Sequence, residues 1–158
     1  MKIITAIDTL CFNEPTVFLA GGITNCPEWQ DKIIEILKKT NKGIAFNPRR
    51  KHFPINDPNA SKEQIEWEFN ALNRADVFSI WFSSGESVQP ICMYELGRHL
   101  ALRSSRNELD RVVIGVEKGY LRTQDVLIQT ELVSRDLVKN ISTNLQDHAM
   151  NIIKAMRL

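Results

Sequence analysis

Short apolar runs alternate along the chain with segments in which apolar residues recur every three or four positions. Runs bounded by turn residues or charges are typical of strands covered on both faces, and they occur at residues 16–20, 44–46, 77–82 and 112–116. Residues 3–7 are a candidate edge strand, and Leu137-Val138 a candidate short fifth strand.

The segments between these runs have helical periodicity. It predicts helices from Pro27 to Lys39, Ser61 to Ala75, Pro90 to about Ser104, Thr123 to Leu132 and Ser142 to Met156. Thr24 or Asn25 is the predicted N-cap of the first, and Ser61 with Gln64 forms a capping-box pattern at the second. Alternating strands and helices predict one domain, residues 1–158, built as a three-layer α/β sandwich around a parallel sheet of about five strands.

The amino-acid composition argues against nucleic-acid-binding and membrane proteins. Hydrophobic residues make up 43% and charged residues 25%, and 20 basic against 19 acidic residues leave a net charge of +1. This balance gives no electrostatic basis for binding nucleic acid or a membrane surface. Apolar runs are far shorter than the roughly 20 residues of a membrane span, and the N-terminus lacks a signal peptide's apolar core. We therefore expect a cytoplasmic protein.

The cysteines and histidines do not form a recognisable site. Cys11, Cys26 and Cys92 are far apart, and the three histidines are similarly scattered, so neither a metal site nor a disulfide framework is expected. A small buried filler is the favoured interpretation of the cysteines. The GxGxxG fingerprint of dinucleotide-binding proteins and the Walker lysine are both absent from the sequence.

Residues that could bind a ligand or take part in catalysis follow the predicted strands. In open α/β sheets, ligands bind at the carboxyl ends of the strands. Residues expected at that edge are Gly21, Gly22 and Thr24 after the first strand, Asn47 and Arg49 after the second, and Ser87 and Gln89 after the third. Glu95 follows in what we predict to be the first turn of a helix, and Glu68 on the preceding helix can face the same crevice. The long polar connection from Arg49 to Asn59 is of a length often associated with function.

A carboxylate in this position has two interpretations. It can attack the anomeric carbon of a sugar and hold it as a glycosyl ester. Alternatively, Glu95 is a first-turn acid favoured by the helix dipole, which stabilises by about 0.3–1 kcal/mol. Glu68 can equally be a solvated helix residue, and Arg49 an exposed loop residue.

Four motifs taken together resemble the nucleoside 2-deoxyribosyltransferase family and its nucleotide N-hydrolase relatives. They are Val17-Phe18-Leu19-Ala20-Gly21-Gly22-Ile23, Asn47-Pro48-Arg49-Arg50, the segment from Trp67-Glu68 to Ala75-Asp76, and Tyr94-Glu95-Leu96-Gly97-Arg98. The resemblance spans roughly residues 16–116. It implies a flavodoxin/Rossmann-like fold, a homo-oligomer with sites near subunit interfaces, and no metal or organic cofactor.

The resemblance also implies roles for individual residues. Glu95 matches the family's nucleophile, and Glu68 matches an acid that contacts or protonates the leaving base. Gly21 and Gly22 match the turn on the sugar side, and Ser87 or Gln89 matches a polar group beside the sugar.

Two residues depart from the family pattern. Phe18 stands where relatives often have a tyrosine that steadies the nucleophile. Thr24 stands where nucleotide hydrolases tend to have an arginine for the 5′-phosphate, which favours a nucleoside, although Arg49 and Arg50 can hold a phosphate bidentately.

The leading hypothesis is an enzyme that transfers the 2-deoxyribosyl group of a 2′-deoxynucleoside to a free nucleobase or to water, through a covalent ester on Glu95. The second is a non-catalytic module that binds and senses a nucleoside or nucleotide. The third is a structural oligomer with a degenerate site.

Overall fold

Five parallel strands form one sheet in the computed structural model, which describes residues 1–54 and 56–158. The strands are β1 (Lys2–Thr5), β2 (Thr16–Gly21), β3 (Ile44–Asn47), β4 (Val77–Phe82) and β5 (Val112–Val116), in the order β1-β3-β2-β4-β5. Every described pairing is parallel. The predicted connection 49–59 includes Ile55, which lies outside the described residues.

Helices cover both faces of this sheet. They are α1 (Trp29–Leu37), α2 (Ala60–Arg74), α3 (Pro90–Ser105), α4 (Thr123–Val133), α5 (Arg135–Lys139) and α6 (Leu145–Met156). Residues of α1 and α6 share one apolar core with Val17 and Leu19, whereas α2 to α5 share the other with Phe18 and Ala20. Successive residues of β2 therefore enter opposite cores, which explains its continuously apolar sequence. The predicted three-layer, flavodoxin/Rossmann-like sandwich is confirmed.

Of the two candidate strands at residues 3–7 and Leu137-Val138, only the N-terminal one belongs to the sheet, as β1. Leu137 and Val138 belong to α5, where the Ser134 side chain accepts a hydrogen bond from the Leu137 backbone N–H at 3.2 Å and caps the helix. Leu137 is buried in the core cluster that also contains residues of α2 and α3. A two-residue apolar pair is too short to distinguish a strand from one helical turn, so this prediction was wrong.

Three predicted helix starts also differ. The first helix begins at Trp29 without a side-chain cap, because Asn25 has a left-handed φ of 56° and extends the loop. The second begins at Ala60, and the Gln64 side chain contacts Pro48 and Glu68 in place of closing a capping box. The last begins at Leu145, because Ser142 hydrogen-bonds with β5 and Asn144 caps the helix.

Candidate active site

A cavity of about 220 Å³ opens at the carboxyl edge of the sheet, where β2 and β4 end. The chain leaves β2 for β3 on one side, whereas β4 pairs with β2 on the other, so the cavity lies at a topological switch point. Eight sequence-predicted residues line it: Phe18, Gly21, Gly22, Thr24, Glu68, Ser87, Gln89 and Glu95. Two others, Asn47 and Arg49, do not.

The helix α3 begins at Pro90, as predicted, and Glu95, five residues later, therefore lies in its second turn. The predicted first-turn position was wrong, and the correction weakens the helix-dipole interpretation because the dipole effect falls off within one turn. Burial, then repulsion from Glu68, raises the pKa of Glu95 to about 7, while Arg98 opposes this shift. The carboxyl group is therefore close to half-ionised at neutral pH.

Glu68 reaches the same cavity from α2. Its Oε1 accepts a hydrogen bond from Gln64 Nε2 at 2.7 Å, and the same nitrogen donates to the Pro48 carbonyl oxygen at 2.7 Å. Burial raises the pKa of Glu68, and the Gln64 hydrogen bond partly lowers it again. Two carboxyl groups thus share one cavity, and the ionised form of each disfavours ionisation of the other.

The two glycines at the end of β2 are required by the protein's own packing. A Cβ on Gly21, whose φ is +149°, would collide with the Trp81 carbonyl group and the Trp29 ring. A Cβ on Gly22 would lie 2.7 Å from Gln89 Oε1. The family resemblance assigns these glycines to the turn on the sugar side, and the structure adds an intramolecular reason for them.

Gln89 joins two of the loops around the cavity. Its Oε1 accepts a hydrogen bond from the Gly22 N–H at 3.2 Å, and its Nε2 donates to the Ser83 carbonyl oxygen at 2.8 Å. Its backbone has a left-handed φ of 48°, and the Ser87 hydroxyl accepts from its N–H at 3.3 Å. A strained, buried residue at this position indicates that the surrounding contacts hold it in place.

Asn47 and Arg49 support the rim from outside the cavity. The Asn47 side-chain oxygen accepts a hydrogen bond from the Arg49 N–H at 3.0 Å. The Arg49 guanidinium turns toward carbonyl oxygens of the loop between β2 and α1. The neighbouring Arg50 guanidinium lies 5.5 Å from the centre of the Phe53 ring.

Apolar residues that sequence reasoning did not assign to the site complete the wall. They include Ala20, Ile91 and Cys92. Burial raises the pKa of the Cys92 thiol to about 12, so it remains neutral and acts as a small filler, as predicted. Their adjacency to Gly21, Gln89 and Glu95 in sequence is the signal that could have identified them.

Other kinds of site receive no support from the described residues. Over residues 1–54 and 56–158, no group of three or more His, Cys, Asp or Glu side chains is arranged to hold a metal ion. Within the same residues, no helix has the length and apolar character needed to cross a membrane.

Comparison with known proteins agrees with the resemblance in the motifs. A family model described as nucleoside 2-deoxyribosyltransferase like matches residues 14–120. This range runs from just before β2 to just after β5 and includes all the cavity-lining residues named above. A search of curated proteins returned no match.

Proposed function

Because the chain belongs to the nucleoside 2-deoxyribosyltransferase-like family, we propose that it transfers the 2-deoxyribosyl group of a 2′-deoxynucleoside to another nucleobase or to water. The observation that carries this proposal is the pair of carboxyl groups, Glu95 and Glu68, in one cavity at the sheet's carboxyl edge. A nucleophile and a proton donor are the two groups that N-glycosidic bond cleavage with retention requires.

In the first step, a carboxylate oxygen of Glu95 forms a bond to the anomeric carbon while the carbon–nitrogen bond to the base breaks. The electron pair of that bond leaves with the base, through a transition state with oxocarbenium character. The Glu68 carboxyl group donates a proton to the departing base, because a nucleobase anion is a poor leaving group. The product is a glycosyl ester on Glu95.

In the second step, a nitrogen of a free base or the oxygen of water attacks the same anomeric carbon. The ester bond to Glu95 breaks, its electron pair returns to the carboxylate, and the proton lost by the incoming group returns to Glu68. Two inversions at the anomeric carbon give net retention.

The roles follow from the chemistry of the reaction, and the raised pKa values keep a proton within the pair near neutral pH. Both carboxyl groups have pKa values above the usual range, that of Glu95 at about 7. At neutral pH Glu95 is therefore about half-ionised, and ionisation of either carboxyl group disfavours ionisation of the other. One carboxylate is then available as nucleophile and one carboxyl group as proton donor.

The charge of the cavity supports an unphosphorylated substrate. Among the described residues that line it, the acids Glu68 and Glu95 are the side chains that can carry a charge near neutral pH, and Thr24 is neutral. A 5′-phosphate would be repelled by the negative charge of this carboxyl pair without a compensating cation. This favours a nucleoside over a nucleotide as the sugar donor, with a free nucleobase as acceptor.

Exposed apolar residues near the cavity support a homo-oligomer with sites close to its interfaces. Ile65 and Phe69 on α2 and Ile91 and Tyr94 on α3 are each at least half exposed. Ile91 also lines the cavity. Clusters of exposed apolar side chains commonly mark protein–protein contacts.

A base-exchange assay tests the proposal. The purified protein is incubated with a 2′-deoxynucleoside and a different free base, and the products are separated by chromatography. We expect the exchanged nucleoside from the wild type and none from Glu95→Ala with an unchanged circular dichroism spectrum. Full exchange by Glu95→Ala would exclude Glu95 as the nucleophile.

The same experiment tests the sensor alternative, which is motivated by Phe18. Its ring lines the cavity without the hydroxyl group that many relatives have near the nucleophile. Tight binding of a nucleoside or nucleotide that stays chemically unchanged would favour a sensor. Neither binding nor turnover would favour a structural oligomer.

A further inference from the structure

One arginine side chain holds the loop that forms a wall of the cavity. The loop runs from Gly22 to Pro27, between β2 and α1. Its first three residues, Gly22, Ile23 and Thr24, line the cavity. Asn25 adopts a left-handed φ of 56°, and the Cys26 N–H donates to the Ile23 carbonyl oxygen at 3.3 Å, so the loop folds back as a tight turn.

Four carbonyl oxygens of this loop converge on Arg49. The distance from Arg49 Nη2 is 3.3 Å to each of the carbonyl oxygens of Gly22, Ile23 and Cys26, and 2.9 Å to that of Pro27. Since one nitrogen carries two N–H groups, the four oxygens share them. Arg49 Nε also donates to the side-chain oxygen of the buried Gln30 on α1, at 2.9 Å.

The opposite side of the loop is held by uncharged donors and acceptors. The Gly22 N–H donates to Gln89 Oε1 at 3.2 Å, and the Gly22 carbonyl oxygen also accepts from Trp29 Nε1 at 3.1 Å. The two polar groups of Gly22 are thus fixed from both sides. The carbonyl oxygens of Ile23, Cys26 and Pro27 converge on the guanidinium, which is the side-chain donor that they share. Those of Ile23 and Pro27 also accept the backbone N–H groups of Cys26 and Trp29.

We propose that Arg49 is a positioning residue that fixes the Gly22–Pro27 wall, and that it does not bind the substrate. The inference rests on the proposed function, since the wall is the surface against which the sugar donor would lie. Two observations carry it: the guanidinium is engaged by carbonyl oxygens and Gln30, and Arg49 does not line the cavity. An arginine that bound phosphate would instead direct its N–H groups into the cavity.

The informative variant is Arg49→Lys. Lysine keeps the positive charge but replaces the rigid planar fork by one ammonium group on a flexible stem, which cannot contact Gln30 and all four carbonyl oxygens together. We expect kcat/KM for an unphosphorylated 2′-deoxynucleoside to fall by at least about tenfold, mainly through KM, because a wall that is no longer held in place must be ordered when the substrate binds. Arg106→Lys is the matched control, since Arg106 is exposed at the end of α3 that lies away from the cavity.

Hydrogen exchange provides a readout that does not depend on catalysis. In Arg49→Lys we expect faster exchange of the amides of Ile23, Thr24 and Cys26, with β2 and β4 amides unchanged in the same sample. Unchanged sheet amides separate local loosening of the loop from loss of the fold. In Arg106→Lys, exchange of the loop should match the wild type.

Kinetics with two donors, a 2′-deoxynucleoside and its 5′-monophosphate, complete the test. Loss of activity with the unphosphorylated donor together with faster loop exchange supports the positioning role. Loss confined to the monophosphate, with unchanged loop exchange, overturns it and makes Arg49 a phosphate ligand. If the wild type turns over neither donor, the proposed function fails, and unchanged loop exchange in Arg49→Lys would then also reject the positioning role.

Discussion

Glu95 and Glu68 are two acids of one type that the fold places in different surroundings. Glu68 accepts a hydrogen bond from Gln64 at 2.7 Å, which favours its ionised form. The pKa of Glu95 is raised to about 7 by burial and by Glu68, against the opposing charge of Arg98. Because the two sites are coupled, a change at one is expected to alter the pH dependence of the other.

Replacing Glu68 by glutamine should expose this coupling. Glu68→Gln removes both the proton donor and the negative charge that raises the pKa of Glu95. We expect kcat/KM to fall about 10²-fold from loss of the proton donor, and the acid limb of its pH profile to move to lower pH. The control is Glu66→Gln, an exposed residue paired with Lys62, which should leave the profile unchanged. An acid limb that stays in place would contradict the coupling.

Glu95 should also reduce the stability of the folded protein at neutral and higher pH. The pKa of Glu95 is 4.5 in the unfolded state and about 7 in the folded state. Between these two pH values the folded state binds more protons at Glu95 than the unfolded state does, so the free energy of unfolding falls as pH rises. Glu95→Gln removes this dependence, and we expect it to raise the free energy of unfolding at pH 8 by about 1–2 kcal/mol, after allowing for solvent screening. Urea unfolding at pH 8 and pH 4 measures the difference. An equal effect of the substitution at both pH values would contradict it.

At the scale of the elements, continuous apolar runs were sufficient to predict β2, β3, β4 and β5, because each is buried on both faces. Helix ends were less predictable, since Gln64 and Ser142 have tertiary partners that local capping rules do not include. The same limit applies to the site. The rule that ligands bind at the carboxyl ends of the strands placed Glu95 and Gly22 at one site. No sequence pattern, however, shows that the carbonyl groups of the loop between β2 and α1 turn toward Arg49.

Gly22, the first residue after β2, offers a test of how the loop packs. In Gly22→Ala, the new Cβ would lie 2.7 Å from Gln89 Oε1 and collide with the Cys26 sulfur, so the loop must shift. We expect a loss of about 1–3 kcal/mol in the free energy of unfolding, as for overpacked sites, together with reduced base exchange.

Gly97 is the matched control for that substitution. It lies inside α3, and apart from its chain neighbours and the adjacent backbone of its own helix, none of the described residues has an atom within 4 Å of the Cβ that Gly97→Ala would add. Alanine there should raise the free energy of unfolding by up to about 1 kcal/mol, because it favours the helix. The packing argument would be contradicted if the two substitutions changed stability alike.

At the scale of the whole molecule, each core contains a buried histidine. His148 lies between the hydroxyl groups of Ser79 and Ser142, at 2.9 and 2.8 Å. His99 stacks on Phe78 at 4.5 Å, and its ring nitrogens have no hydrogen-bond partner within the described residues. Burial lowers both pKa values, to about 3 for His148 and, with repulsion from nearby arginines, to about 4 for His99.

Acid should therefore destabilise the fold through these two side chains. Below pH 6.5 the unfolded state binds protons at both histidines, whereas the folded state does not. The free energy of unfolding therefore decreases as pH is lowered, until the folded-state pKa values are reached. In His99→Leu, we expect the loss of stability between pH 7 and pH 4.5 to be smaller by about 2 kcal/mol. Urea unfolding at the two pH values provides the comparison. Identical losses in wild type and variant would show that His99 does not contribute.

The most direct test of the central claim is detection of the sugar on Glu95. The wild type is mixed with a 2′-deoxynucleoside without an acceptor base, quenched in acid, and analysed by mass spectrometry of the intact chain and of its peptides. We predict added mass equal to one 2-deoxyribosyl group, located on the peptide at Glu95, and absence of that mass in Glu95→Gln. Base exchange with the adduct on another residue, or on none under conditions that trap glycosyl esters, would contradict the account.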